Sequence, residues 1–277
     1  MRLLFIGDIV GSPGREMVTR GLTGLVLRHQ LDLVIANAEN AAGGSGLTPQ
    51  IYRKLIKAGV DAITMGDHVY RRKEIYQILD SEENIVRPAN LPDEARGRRW
   101  TVIRGRDGTQ VGICCLLGQL FMKPIDNPWG AVDRVLAEFP AEVKVRFVDF
   151  HAEATSEAQM MGRYLDGRVS AVLGTHTHVP TADECILPGG TAFQCDVGMT
   201  GPHDGILGRR ADRVMETMLT ANPTQFDVAS DDLRLNGAIV ELNSVTGLAT
   251  AIDRLCVHES ELAELETLAG QSSAAVR

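Results

Sequence analysis

The chain has 277 residues, 44% apolar and 23% charged, enough to bury one sizeable core or two small ones. With 28 Lys and Arg against 36 Asp and Glu, the net charge is -8 and the pI about 5.4; such an acidic surface excludes broad contact with the backbone of duplex nucleic acid. A small phosphorylated substrate stays open, because a bound cation can dominate the local field.

Leu3 to Ile6 is too short an apolar run for a signal peptide or a membrane span and reads as a first strand. Ser12 as N-cap and Pro13 at the first helical position open a helix over Pro13 to Arg28. Leu33 to Ala36 is a second strand, Thr48 to Ala58 a helix opened by another cap and proline, Ala62 to Met65 a third strand, and Lys73 to Leu79 a short helix. In the middle, Ile85 to Val86, Thr101 to Arg104 and Val111 to Leu117 read as strands, the last two joined by the Asp107-Gly108 turn. A helix over Ala131 to Glu138, a strand over Lys144 to Val148, a helix over Thr155 to Leu165 and a strand over Ala171 to Leu173 follow. Ala192 to Cys195, Ala238 to Leu242 and Ala249 to Leu255 close the series as strands, with a turn at Asn243 to Gly247. No repeat, charge block or linker divides the chain. The expectation is one domain over residues 1–258, then a tail over 259–277 that begins as a weak helix and is disordered from Gln271 to Ala275. Early alternation of strand and helix, with hairpins later, predicts an α/β (α+β mixed) fold with mixed sheets.

The five cysteines are odd in number and lack a C-x-x-C. Adjacent Cys114 and Cys115 fall on a strand and point to opposite faces, which disfavours a disulfide between them. Reduced, mostly buried thiols fit a cytoplasmic protein without a membrane span.

Five predicted strands end alike. The first delivers Asp8; the second leads through Asn37 to Glu39 and Asn40; the third ends in Asp67-His68; later ones end in His151 and in His176-Thr177-His178. One Asp after a strand is ordinarily a turn or cap residue. Five such ends in one chain are different, because open α/β sheets place their sites at the C-terminal ends of strands. Carboxylate, amide oxygen and imidazole suit Mn²⁺, Fe and Zn²⁺. The set exceeds the needs of one tetrahedral or octahedral ion, so two ions, roughly 3.5–4 Å apart in sites of this kind, are expected. His29 and His258, outside these ends, read as structural or solvated.

These residues resemble the calcineurin-like metallophosphoesterases, whose pattern runs Asp-x-His, Gly-Asp-x-x-Asp, Gly-Asn-His, His, then Gly-His-x-His. The counterparts are Gly7-Asp8, Glu39-Asn40, Gly66-Asp67-His68, His151 and Thr175-His176-Thr177-His178. Val10 stands where the first motif has histidine, Glu39 replaces the bridging aspartate, and Asn40 can supply the lost ligand. These departures resemble the YmdB-like subfamily. So do the runs from Gly7 to Arg15, Asn37 to Gly44, Asp149 to Glu157, Gly174 to Asp183 and Asp196 to Pro202. The resemblance implies a sandwich of two mixed β-sheets flanked by α-helices, and a two-metal phosphodiesterase acting on cyclic nucleotides, 2′,3′-cyclic ones among them and 3′,5′-cyclic ones as a further candidate. It implies Asp8, Asn40 and His178 as ligands of one metal, Asp67, His151 and His176 as ligands of the other, Glu39 as the bridge and His68 as the catalytic acid. The subfamily has Asn where this chain has Asp67, which adds a negative charge and removes an amide donor.

The chemistry such ligands support is polarisation of phosphate oxygens and activation of a water by two ions, Fe or Mn first, with Mg or Zn as alternatives; His68 would protonate the leaving oxygen. Weaker signals surround this set. Gly43-Gly44-Ser45-Gly46 is a flexible loop or a plain turn, and it is no nucleotide P-loop because no Gly-Lys-Ser/Thr follows. Arg15, Arg71 and Arg72 could meet phosphate or stand in solvent. His203 could line the pocket. Asp149, Glu153 and Asp183 could orient ligands or serve as caps and surface acids. A phosphomonoesterase or nucleotidase, or a metal-stabilised regulatory protein of low turnover, are the competing readings; a homo-oligomer stays open.

Overall fold

The computed structural model describes residues 1–275. Its elements run β1 (Arg2–Ile6), α1 (Gly11–His29), β2 (Leu33–Asn37), α2 (Pro49–Ala58), β3 (Ala62–Thr64), a 3-10 turn at Lys73–Ile75, α3 (Tyr76–Ser81) and β4 (Ile85–Val86). Then come β5 (Trp100–Arg104), β6 (Gln110–Leu117), α4 (Pro128–Glu138), β7 (Val145–His151), α5 (Thr155–Leu165) and β8 (Ala171–Thr175). The last third holds β9 (Cys185–Ile186), β10 (Ala192–Gln194), β11 (Gly201–Pro202), α6 (Ala211–Thr220), β12 (Leu233–Leu242), β13 (Ala249–His258), a 3-10 turn at Glu259–Glu261 and α7 (Leu262–Ala275).

Two mixed sheets result. The first has seven strands in the order β11-β12-β1-β2-β3-β4, with β13 also paired to β12; β1 to β4 run parallel and β12 antiparallel to β1. The second has six in the order β5-β6-β7-β8-β10-β9, parallel from β6 to β10 with antiparallel strands at both edges. β1, β2 and β8 read as nearly unbroken apolar runs because they are covered on both faces. Between the sheets lies a shared core of Leu3, Phe5, Ile35, Ile113, Phe147 and Leu173, among others. Phe5 meets Phe147 edge-on at 4.8 Å between ring centres, and burying each ring stabilises the fold by about 1.5–3 kcal/mol. Cys115 belongs to this central core and Cys114 to the outer one under α4 and α5, as the strand period requires.

The sandwich of two mixed sheets flanked by helices is the expected one, with instructive differences in detail. Helix α1 starts two residues earlier than its proline signal, and Ser12 lies inside it rather than capping it. Tertiary backbone bonds fix its start instead: Val10 N–H donates to Thr200 O at 2.8 Å and Gly11 N–H to Asn40 O at 3.0 Å. For α2 the signal was local and sufficient: Thr48 Oγ1 accepts from Ile51 N–H, and Pro49 occupies the first turn. Strands β9 and β11 have two residues each, too few for alternation to register. Helix α6 was not anticipated and carries no buried residue.

At the C-terminus, α7 continues to Ala275, past the point where disorder was expected to begin. Leu262 and Leu265 are buried against α1. The approach is close: a Cβ on Gly24 of α1 would lie 2.4 Å from Leu265 O. Docked at its first turns, the helix runs on to Ala275 although Thr267, Gly270, Ser272 and Ser273 have weaker intrinsic helix propensity than alanine. Residues 276–277 lie outside the described residues. Among the described residues no helix is long and apolar enough to cross a membrane.

Candidate metal centre

The C-terminal ends of β1, β2 and β3 from one sheet, and of β7 and β8 from the other, meet at one edge of the sandwich. Side chains from both sheets interlock there. Asp8, following β1, is fully buried, and its Oδ2 accepts the His176 N–H at 3.0 Å. Its other oxygen, Oδ1, is buried with no hydrogen-bond partner. Glu39, 1% exposed, accepts the His68 N–H on Oε2 at 2.9 Å and the Asn40 amide on Oε1 at 3.2 Å.

Glu39, Asp67, His151 and His176 each place a ligand atom within 4.8 Å of the others. His151 Nε2 stands 3.4 Å from Glu39 Oε1, 3.5 Å from Asp67 Oδ1 and 3.0 Å from His176 Nδ1. Asp67 Oδ1 is a second buried oxygen without a hydrogen-bond partner. A bare convergence of two carboxylates and two imidazoles is electrostatically incomplete: a proton or a metal ion must lie among them. For protonation, burial opposes charge on His151, yet Glu39 and Asp67 raise its pKa well above the usual imidazole range. Burial likewise opposes ionisation of Glu39 and Asp67, but the neighbouring histidines lower both carboxyl pKa values. Burial and the His151 charge lower that of His176. The two orphaned carboxylate oxygens and the donor chemistry fit a bound metal. So does Gly66, since a Cβ there would sit 2.3 Å from Glu39 Oε2 and 2.4 Å from His151 Nε2 and would fill the cradle.

Asp149, buried behind the ligands, gathers three elements. Its Oδ2 accepts from Thr64 Oγ1 at 2.6 Å and Asn37 Nδ2 at 3.1 Å, and its Oδ1 from Thr175 Oγ1 at 2.7 Å. Thr175 thereby spends its hydroxyl proton on Asp149 and accepts from His151 Nδ1–H at 2.8 Å. That fixes the tautomer and leaves Nε2 as the ligand nitrogen. Burial pushes the Asp149 carboxyl up to about 6.

The remaining predicted ligands flank the cluster. His178 gives Nδ1–H to Leu207 O at 3.1 Å, which frees Nε2, and Asn40 Nδ2 is 3.2 Å from that nitrogen. Asn40 turns its amide nitrogen toward Glu39 and His178 and its oxygen toward His68 Nδ1, at 2.7 Å. To offer oxygen to a cation beside His178 the amide must turn over; His68 Nδ1 would keep Glu39 Oε1 at 3.3 Å. His176 and His178 have φ of 105° and 67°, in the left-handed region that non-glycine residues avoid. Asp196 holds that turn, accepting the Thr177 N–H and hydroxyl at 2.8 Å each and the Gly198 N–H at 2.7 Å.

Of the weaker candidates, Asp149 reaches His151 through Thr175, and Glu153 Oε2 stands 3.3 Å from His176 Nε2. Asp183 accepts from Thr181 Oγ1 and Cys195 N–H instead and touches no predicted ligand. His203 has both ring nitrogens engaged, with Gly201 O at 2.9 Å and Asn236 Nδ2 at 3.0 Å, and does not join the cluster. Arg15 and Arg72 bond backbone carbonyls of the glycine turn. Sequence reasoning passed over Asp196, Thr175 and Asn37. Asp196 directly follows a predicted strand ending, as the ligands do, and opens the run to Pro202 that carries part of the resemblance; those were the signals for it.

The fold and the site together define the metallophosphoesterase type. The family model of YmdB-like proteins matches residues 4–255, and the chain belongs to that family. It is 45% identical over 262 residues to a 2′,3′-cyclic-nucleotide 2′-phosphodiesterase of Bacillus subtilis, covering 95% of this chain and 99% of that protein. A crystal structure of a hypothetical protein from Thermus thermophilus superposes with a TM-score of 0.87 at 42% identity, covering 94% of this chain and all of that one. A novel phosphatase of Mycoplasma pneumoniae does so with 0.87 at 31% identity and 93% of each chain. The chain is thus an enzyme of the phosphoesterase class.

Proposed function

We propose that this chain is a two-metal phosphodiesterase that opens cyclic nucleotides, 2′,3′-cyclic ones among them. The observation that carries the reading is the pair of buried carboxylate oxygens without a hydrogen-bond partner, Asp8 Oδ1 and Asp67 Oδ1, on residues of a site where carboxylates and imidazoles converge. Asp67, His151 and His176 would hold one ion and Asp8, Asn40 and His178 the other, with Glu39 shared between them. The donors suit Fe and Mn first and admit Mg or Zn. When bound, such a pair supplies positive charge to phosphate oxygens and lowers the pKa of a water.

The chain's own residues set the geometry and handle the proton. Thr175 and Asp149 keep His151 in one tautomer. Asp196 keeps the turn that carries His176 and His178. His68 gives Nδ1–H to Asn40 Oδ1, or to Glu39 Oε1 once that amide turns over, so the proton that the leaving ribose oxygen would take is a second one, on Nε2. The Bacillus relative's named reaction supports the substrate class. The five free cysteines, three of them buried, support a reducing, cytoplasmic setting.

Metal analysis of the purified protein, paired with turnover of 2′,3′-cyclic AMP, tests the reading. Two equivalents of metal and metal-dependent ring opening are expected. Hydrolysis of p-nitrophenyl phosphate but not of bis(p-nitrophenyl) phosphate would show a phosphomonoesterase instead.

A further inference from the structure

Arg15 and Arg72 flank the glycine turn that follows the Glu39-Asn40 ligand pair, and the fold brings a third arginine, Arg209, to the same turn. Arg15 Nη1 donates to Ala41 O. Arg72 donates to Ala42 O at 3.1 Å and Ser45 O at 3.3 Å. Arg209 donates to Gly43 O at 3.3 Å, to Gly44 O, and to Phe226 O at 2.9 Å. The turn is shaped around them. Gly44 and Gly46 have φ of 84° and 85°, and a Cβ would lie 2.2 Å from Arg209 Nη1 at the first and 2.7 Å from Arg72 Cγ at the second.

Carbonyl bonds account for the positions of these side chains but not for their charge, since neutral amides could make the same bonds. Among the described residues none of the three has a carboxylate at ion-pair distance, whereas Arg20, Arg99 and Arg168 do. Asp227 is the acid whose charge reaches Arg209. Three cations without an ion pair on one turn are out of keeping with a chain of net charge -8. The first turn of α1, tied to Asn40 O by Gly11 N–H, holds no acid to offset them. A guanidinium has five N–H donors, so each of the three keeps donors to spare.

The turn borders the metal centre. Gly46 N–H donates to Glu39 O. Arg72 lies four residues past His68, and Arg209 lies two past Leu207, whose carbonyl accepts from His178. We propose that Arg15, Arg72 and Arg209 form a second anion subsite, which takes a further phosphate of a nucleotide whose first phosphate lies at the metal centre. The enzyme would then prefer nucleotides that carry two phosphate groups. The proposal rests on the phosphodiesterase reading for the metal centre, but its binding test does not need turnover.

The test is calorimetric titration of the Mn²⁺-loaded full chain with adenosine 3′-monophosphate and adenosine 3′,5′-bisphosphate. The bisphosphate should bind about tenfold more tightly or better, with the advantage shrinking as salt rises. In Arg72→Gln and Arg209→Gln the advantage should fall to about threefold or less, with Arg72→Lys and Arg209→Lys retaining part of it. Arg104→Gln, which removes a remote arginine bonded to Gly108 O, should leave the advantage intact. Melting temperatures report whether each variant is folded. Equal affinities in the wild type, or a preference that survives both glutamine variants, would overturn the subsite. Failure to open 2′,3′-cyclic AMP would count against the phosphodiesterase reading alone.

Discussion

His68 Nδ1 lies 2.7 Å from Asn40 Oδ1, and the same amide sets its nitrogen 3.2 Å from His178 Nε2. One side chain thus ties the proposed acid to a proposed ligand. His68 Nε2 points the other way along the site, 3.9 Å from Asp67 Oδ2. His68→Ala should lower turnover of an ester with an alkoxide leaving group by about 10²–10⁴-fold. Metal content should hold, because the ring itself is not among the converging ligand atoms. Single-turnover kinetics beside metal analysis check this. Unchanged turnover would remove His68 from the mechanism.

Asp67 supplies a carboxylate to a centre that already contains Asp8 and Glu39. Its Oδ1 is 3.5 Å from His151 Nε2 and 3.8 Å from His176 Nδ1. Asp67→Asn removes one negative charge beside the ions, so metal should be held less tightly while phosphodiester turnover rises or the preferred metal changes. Metal affinities and rates across Mn²⁺, Fe²⁺ and Mg²⁺ decide it. Identical affinities, rates and ranking in the two forms would mean that the charge is immaterial.

Thr175→Val keeps the shape of the side chain and deletes the hydroxyl between Asp149 and His151. Asp149 Oδ1 then loses its donor in a fully buried position, at a cost of about 1–3 kcal/mol by urea denaturation. The His151 ring loses its tautomer lock, and metal affinity should fall about 10–100-fold in a competition titration with a chelator. A stable variant with wild-type metal affinity would show that the Asp149–Thr175 pair does not orient the ligand.

Asp196 gives a pH signature in the chelated protein. Burial first, and then the charge of Asp8, push its carboxyl up from 3.8 to about 8, with donors from Gly198 and Thr177 offsetting part of the rise. A carboxyl raised on folding stabilises the fold fully below the unfolded pKa and loses that contribution as pH climbs through the folded one. Asp196→Asn cannot ionise. It should be destabilised at low pH by the misplaced amide donors, and its deficit against the wild type should shrink between about pH 4 and pH 8, then level off. Melting curves of both proteins across that range measure the difference. A deficit independent of pH would show that Asp196 ionises as freely in the folded chain as in the unfolded one.

Much of the frame was legible in the chain because its signals are local. The apolar runs of β1, β2 and β8 mark strands covered on both faces. Thr48-Pro49 and Gly59 mark both ends of α2. The candidate ligands were legible for a related reason, since each stands within a few residues of a strand ending that can be read by itself.

What the sequence by itself determined, then, is which residue types stand at the strand ends and that they are chemically a metal-binding set. The tertiary structure alone decided which of them meet. Glu39 and Asp67 come from one sheet and His151 and His176 from the other, and only the packing of the two sheets brings their ligand atoms within 4.8 Å. The same holds for the supports. Asp149 bonds residues 112 and 85 positions away, Asp196 holds a turn nineteen positions back, and Arg209 reaches a loop 165 positions back. Hydrogen bonds of that kind are set by the three-dimensional path of the backbone, and no period or spacing along the chain encodes them.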